Sequence, residues 1–199
     1  MQERLAIAEV VQNWALWRDA GDWDRFRTVW HDDGWMTATW FQGPAEKFIE
    51  VSRAGFDKGV SILHFLGGSS IDVAGDRAIA QTKMTINQRA QVDGVLVDVV
   101  CTGRFYDFFA KRGGQWGIVR RQPIYEKDRM DPVDPAARIS WVHFSMSRFT
   151  SASVSATDSF TGVAPLFSNR PTTSGICATF ANSMRSRATT GAGVFAGAK

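Results

Sequence analysis

Between residues 62 and 126 four long β-type runs are separated by three short turns, and this alternation constrains the fold more than any other feature of the chain. The runs cover 62–73, 77–91, 95–110 and 115–126. Between them lie Ala74-Gly75-Asp76, Val92-Asp93-Gly94 and Arg112-Gly113-Gly114, which are the residue types that tight hairpins demand. Long strands joined this closely pair with their sequence neighbours, because a parallel partner would need a crossover of a dozen residues or more. An antiparallel meander is therefore expected over the second half of the folded region.

The first sixty residues read differently. From residue 3 to 18, Leu5, Ala8, Val11, Ala15 and Leu16 recur at helical spacing, and Ala20-Gly21 closes the run. Asp22 is a good N-cap for a second, short helix carrying Trp23, Phe26, Val29 and Trp30. A loop, His31-Asp32-Asp33-Gly34, leads into a β-type run over 35–41. Gly43-Pro44 then opens a third helix with Phe48, Val51, Ser52 and Phe56 on one side. Three helices, one short strand and a long meander predict an α+β domain, with the helices packed on one face of a curved antiparallel sheet.

From about Ala136 the periodicity stops. Residues 136–199 hold 11 Ser and 8 Thr, with Asp158 as their one acid. The domain is accordingly expected over 1–130. Residues 131–199 are expected to be an irregular Ser/Thr/Ala-rich C-terminal extension, either disordered or a non-native, frameshifted reading of the coding sequence.

Charge follows the same division. Residues 1–135 carry 17 Lys/Arg against 19 Asp/Glu, and 136–199 carry 6 basic residues, so the net charge of +3 arises in the tail. The expected domain has no basic face interleaved with aromatics, which argues against nucleic-acid binding. No apolar run approaches membrane-spanning length, and Met1-Gln2-Glu3-Arg4 enters an amphipathic pattern directly, so neither a membrane partner nor export is expected. Cys101 and Cys177 make neither a disulfide framework nor a CxxC site, and a cytoplasmic setting is the corresponding expectation. Phosphate loops and nucleophile elbows are missing, so no cofactor is expected. His31-Asp32-Asp33 reads as surface loop rather than metal site, since three adjacent residues rarely converge on one ion.

Several short motifs, in order, resemble the SnoaL-like branch of the nuclear transport factor 2-like superfamily. They are Trp17-Arg18-Asp19-Ala20-Gly21-Asp22-Trp23-Asp24 with Phe26, then Trp30-His31-Asp32-Asp33, then Gly43-Pro44. Leu63-His64-Phe65-Leu66-Gly67-Gly68 and Trp116-Gly117-Ile118-Val119-Arg120-Arg121 complete the set. The resemblance implies a cone-shaped α+β barrel, in which a bent sheet curls over three helices around a mostly apolar pocket. It also implies pairing of copies through the outer face of the sheet, and hence a homo-oligomer.

Within that superfamily the chain is similar to two lyases, hexachlorocyclohexane dehydrochlorinase and scytalone dehydratase, which use a His–Asp pair. Asp19 and His64 occupy the matching positions, and Arg121 matches a pocket arginine of the dehydrochlorinase. Where that enzyme has a pocket lysine this chain has Trp14, so a cation able to help a halide depart is missing there.

These residue types suit one chemistry. Neutral imidazole accepts a proton near pH 7, and a carboxylate on its other ring nitrogen fixes the tautomer and stabilises the imidazolium. An arginine nearby stabilises a developing or departing anion. Asp19 also lies near a helix C-terminus, where the helix dipole disfavours an anion. The expectation is a cofactor-independent lyase or isomerase that takes a proton from a small apolar cyclic molecule. Its catalytic residues would be Asp19, His64 and Arg121, with Trp14, Trp35 and Tyr106 binding substrate. The alternative is a non-catalytic small-ligand-binding or subunit protein, such as a dioxygenase small subunit.

Overall fold

A computed structural model describes residues 1–92 and 94–137; the remainder of the expected extension lies outside the described residues. Helix α1 spans Gln2–Ala20, α2 Trp23–Thr28 and α3 Ala45–Asp57. The strands are β1 (Trp30–Thr37), β2 (Gln42–Pro44), β3 (Ser61–Ala74), β4 (Arg77–Val92), β5 (Val95–Arg112) and β6 (Gln115–Pro132). They form one curved, unclosed sheet in the order β2-β1-β6-β5-β4-β3.

The meander is present with all its pairings antiparallel, and its strands extend past their sequence-based ends, β6 by six residues to Pro132. The one parallel pairing in the sheet joins β1 to β6, Met36 opposite Arg121. It has a long-range origin that local pattern does not reveal. For the same reason His31-Asp32-Asp33 lies in β1 rather than in a loop. His31 Nε2 lies 2.8 Å from the carbonyl oxygen of Ala110, and Asp33 accepts both hydrogen bonds of the Arg112 fork.

Helix α1 buries a stripe that shares only Val11 and Ala15 with the expected one. Ile7, Val11, Trp14, Ala15 and Arg18 face inward, whereas Leu5 and Leu16 are more than 60% exposed. Both sets have helical spacing, but the inward stripe includes an arginine and so escapes an apolar pattern search. The helix ends as its sequence directs. Gly21 takes a left-handed φ of 70°, and the Asp22 N–H donates to the Trp17 carbonyl at 2.9 Å. Asp22 then caps α2 by accepting from the Arg25 N–H. The glycine stop therefore fixes where the last turn of α1, with Arg18 and Asp19, meets the sheet.

The core lies between the helices and the inner face of the sheet. Its centre is aromatic: Trp14 packs edge-on to Phe26 at 5.3 Å and to Phe105 at 5.2 Å, and stacks on Phe48 at 6.1 Å. No helix among the described residues is long and apolar enough to cross a membrane.

Candidate active site

Asp19 reaches His64 from the last turn of α1. His64 stands on edge strand β3, opposite Ile86 of β4, with its side chain only 5% exposed. Its Nδ1 lies 2.7 Å from Asp19 Oδ1, and its backbone N–H donates to Asp19 Oδ2 at 2.5 Å. Both carboxylate oxygens thus bond His64, which fixes the imidazole against α1. An acceptor-only carboxylate requires the hydrogen on Nδ1, so the Nε2 lone pair is left free to accept a proton.

Burial holds the His64 pKa below its ordinary value. The Asp19 hydrogen bond opposes this, while Arg18 and Arg121 add to the lowering. Neutral imidazole, the form a general base needs, is therefore the resting state at neutral pH. Trp14 closes one side of the ring at 5.2 Å and Phe105 another at 6.0 Å.

Arg121 projects from β6 into the same cluster and is completely buried. Its guanidinium lies 4.2 Å from the Trp14 ring centre and 4.0 Å from that of Phe105. Nε and Nη2 each donate at 2.7 Å to one oxygen of Asp107, the residue directly opposite on β5. Burial pushes the Asp107 carboxyl up and Arg121 pulls it back; the two-pronged geometry is that of an ionised pair. Neighbouring Arg120 is exposed, so alternation along the strand separates the two arginines that the sequence left equivalent.

The structure brings together Asp19, His64, Arg121 and Trp14. It places the other two expected residues elsewhere. Trp35 is 39% exposed, alternating with buried Met36 on β1. Tyr106 alternates with buried Phe105 and Asp107, so it faces outward, its ring 5.3 Å from Phe108. Strand register, not residue type, excludes both from the cluster.

Three members were not anticipated. Phe105 forms part of the wall. Asp107 shares the inward parity of Val97, Val99, Cys101, Phe105 and Phe109, and that parity is legible in the sequence. Arg18 is nearly buried on α1, its Nη1 3.5 Å from Asp19 Oδ1. The pocket implied by the resemblance is here a packed aromatic cluster, and Asp19, at 14% side-chain exposure, is where the dyad meets solvent.

The model of the SnoaL-like domain matches residues 1–122. The chain belongs to this family. Pea pathogenicity protein 2 of the fungus Fusarium vanettenii is 41% identical over 137 residues. That match covers 67% of this chain and 59% of the fungal protein, so the chain spans less than two thirds of that relative's length. Among solved structures, a putative scytalone dehydratase from Novosphingobium aromaticivorans superposes with a TM-score of 0.55 at 17% identity, covering 69% of this chain and 95% of its own. A hexachlorocyclohexane dehydrochlorinase from Novosphingobium barchaimii gives 0.56 at 14% identity, with 70% and 95% covered. At these identities the likeness establishes the fold, shared with neighbours that include lyases.

Proposed function

We propose that this SnoaL-like protein is a cofactor-independent lyase or isomerase in which His64 is the general base and Asp19 orients it. The observation that carries the reading is the 2.7 Å contact between His64 Nδ1 and Asp19 Oδ1, inside an apolar wall that keeps the imidazole neutral. Proton abstraction from carbon needs such a base, with a free nitrogen, a fixed tautomer and little competing water. The wall of Trp14 and Phe105 favours a small, largely apolar substrate. Arg121 gives its Nε N–H and one N–H of Nη2 to Asp107, and its Nη1 has no protein partner among the described residues. The test is His64→Ala: loss of proton transfer with the fold intact is expected, and an active variant removes the reading. Homo-oligomerisation through the outer sheet face belongs to the same proposal, with sedimentation as its check.

A further inference from the structure

Two arginines lie within the buried cluster, and they are held differently. Arg121 gives two 2.7 Å hydrogen bonds to Asp107, one to each oxygen, so its charge is matched at close range. Arg18 Nη1 lies 3.5 Å from Asp19 Oδ1, too far for a strong bond. That oxygen is already engaged by His64 Nδ1 at 2.7 Å, and Oδ2 by the His64 backbone N–H. Donors from α1 and β3 therefore compete for Oδ1, and the closer of the two is the imidazole.

Helix stability does not account for an arginine buried at this position. Arg18 lies one turn beyond Trp14 on the inward stripe of α1, with 7% of its surface exposed. A cation in the last turn suits the helix dipole, but it does so equally well from solvent. An apolar side chain would fill the inward position without the desolvation that a buried charge incurs. The charged groups acting on the His64 ring are Arg18 and Asp19 of α1 and Arg121 of β6, the last paired with Asp107 of β5. Of the two cations, Arg18 opposes a charge on the imidazole more strongly.

We propose that Arg18 is a positioning residue of the dyad: by sharing Asp19 Oδ1 with the imidazole N–H, it limits how firmly the carboxylate holds a proton on His64, so that a proton taken from carbon is passed on rather than kept. This role presupposes that His64 is the base. An unshared carboxylate would stabilise imidazolium as a single buried opposite charge does. With Arg18 at the same oxygen, carboxylate and guanidinium are together neutral, and protonating His64 adds a charge that they do not cancel. In the step itself, the C–H electron pair stays with the substrate while the proton moves to Nε2. The proton then leaves Nε2 for another carbon of the substrate or for a leaving group, and Arg18 neither gains nor loses one.

The test is an NMR titration of the histidines in the full chain, compared among wild type, Arg18→Met and Arg18→Lys. The signals to resolve are those of His31, His64 and His143, and His64→Ala assigns the one that matters. Arg18→Met removes the charge at similar length and is expected to raise the His64 pKa by about one unit, a tenfold gain in proton affinity. Arg18→Lys keeps the charge and should stay within about twofold of the wild type. The Nδ1–H proton signal should persist in Arg18→Met, which separates a lost charge from a loosened site. Should Arg18→Met fail to fold, Arg18→Gln replaces it. Acetophenone, a small carbon acid, supplies the functional readout: the acid limb of deuterium exchange into its methyl group should rise with the His64 pKa. An unmoved titration in Arg18→Met, an equal rise in Arg18→Lys, loss of the Nδ1–H signal, or failure of both neutral variants to fold would overturn the role of Arg18. A titration that moves without any exchange, or with an acid limb that stays put, would leave Arg18 acting on His64 and remove His64 as the base.

Discussion

Asp107→Asn removes one charge from a pair whose side chains are both 0% exposed. The wild-type carboxylate accepts two 2.7 Å hydrogen bonds from Arg121, whose guanidinium is otherwise held between the Trp14 and Phe105 rings. Asparagine fits the space but offers one acceptor oxygen and no charge, and so leaves a buried cation uncompensated. Breaking a buried pair from one side costs about 3–5 kcal/mol. Against a total stability of about 5–15 kcal/mol for a domain, that is a large fraction. At roughly 2–4 °C per kcal/mol for chains of 150–250 residues, the melting temperature should fall by about 6–20 °C. Urea unfolding of the wild type and variant measures the loss. The double variant Asp107→Leu with Arg121→Met should recover much of it, because neither charge is then buried alone. A loss below about 1 kcal/mol in Asp107→Asn would refute the view of Arg121 as a cation that depends on Asp107.

Two further predictions concern stability. Because burial lowers the folded-state pKa of His64, the unfolded chain takes up this proton first as pH falls. The His64 contribution is therefore complete above the unfolded value of about 6.5 and declines below it, by up to about 1.4 kcal/mol per pH unit, until the folded imidazole protonates. His64→Leu should flatten that part of the urea-midpoint profile, and a wild type flat from pH 7 to 5 contradicts it. A Cβ at Gly103 would lie 2.0 Å from the Ile124 carbonyl oxygen. Gly103→Ala should accordingly cost about 3 kcal/mol or more in chemical unfolding, and wild-type stability in that variant would show that the two strands are not so close.

The meander was legible because four long runs of β-type residues are separated by short turns that each contain glycine. The long-range pairing of β1 with β6 was not, since His31, Asp32 and Asp33 look like loop residues until Ala110 and Arg112 are known to lie beside them. In α1 the expected stripe ran through Leu5 and Leu16, whereas the inward one includes Arg18, which lies against Asp19 and which an apolar pattern does not select. Asp19 and His64 were legible by position in the family pattern, and their contact depends on where Gly21 ends α1 and on which face of β3 carries His64. Trp35 and Tyr106 were chosen by residue type, and strand parity turns both away. The same parity would have identified Asp107, an acid that shares the inward parity of Val97, Val99, Phe105 and Phe109 on β5.

The central claim, that His64 takes a proton from carbon, is tested most directly by solvent deuterium uptake at carbon in a panel of small, largely apolar carbon acids, acetophenone among them. Wild type, His64→Ala and Asp19→Asn are compared by NMR, with circular dichroism confirming that each is folded. Removing the base should slow the wild-type exchange by about 10²–10⁴, with Asp19→Asn between the two. Exchange in folded His64→Ala as fast as in the wild type, or wild-type exchange no faster than in buffer, would contradict it.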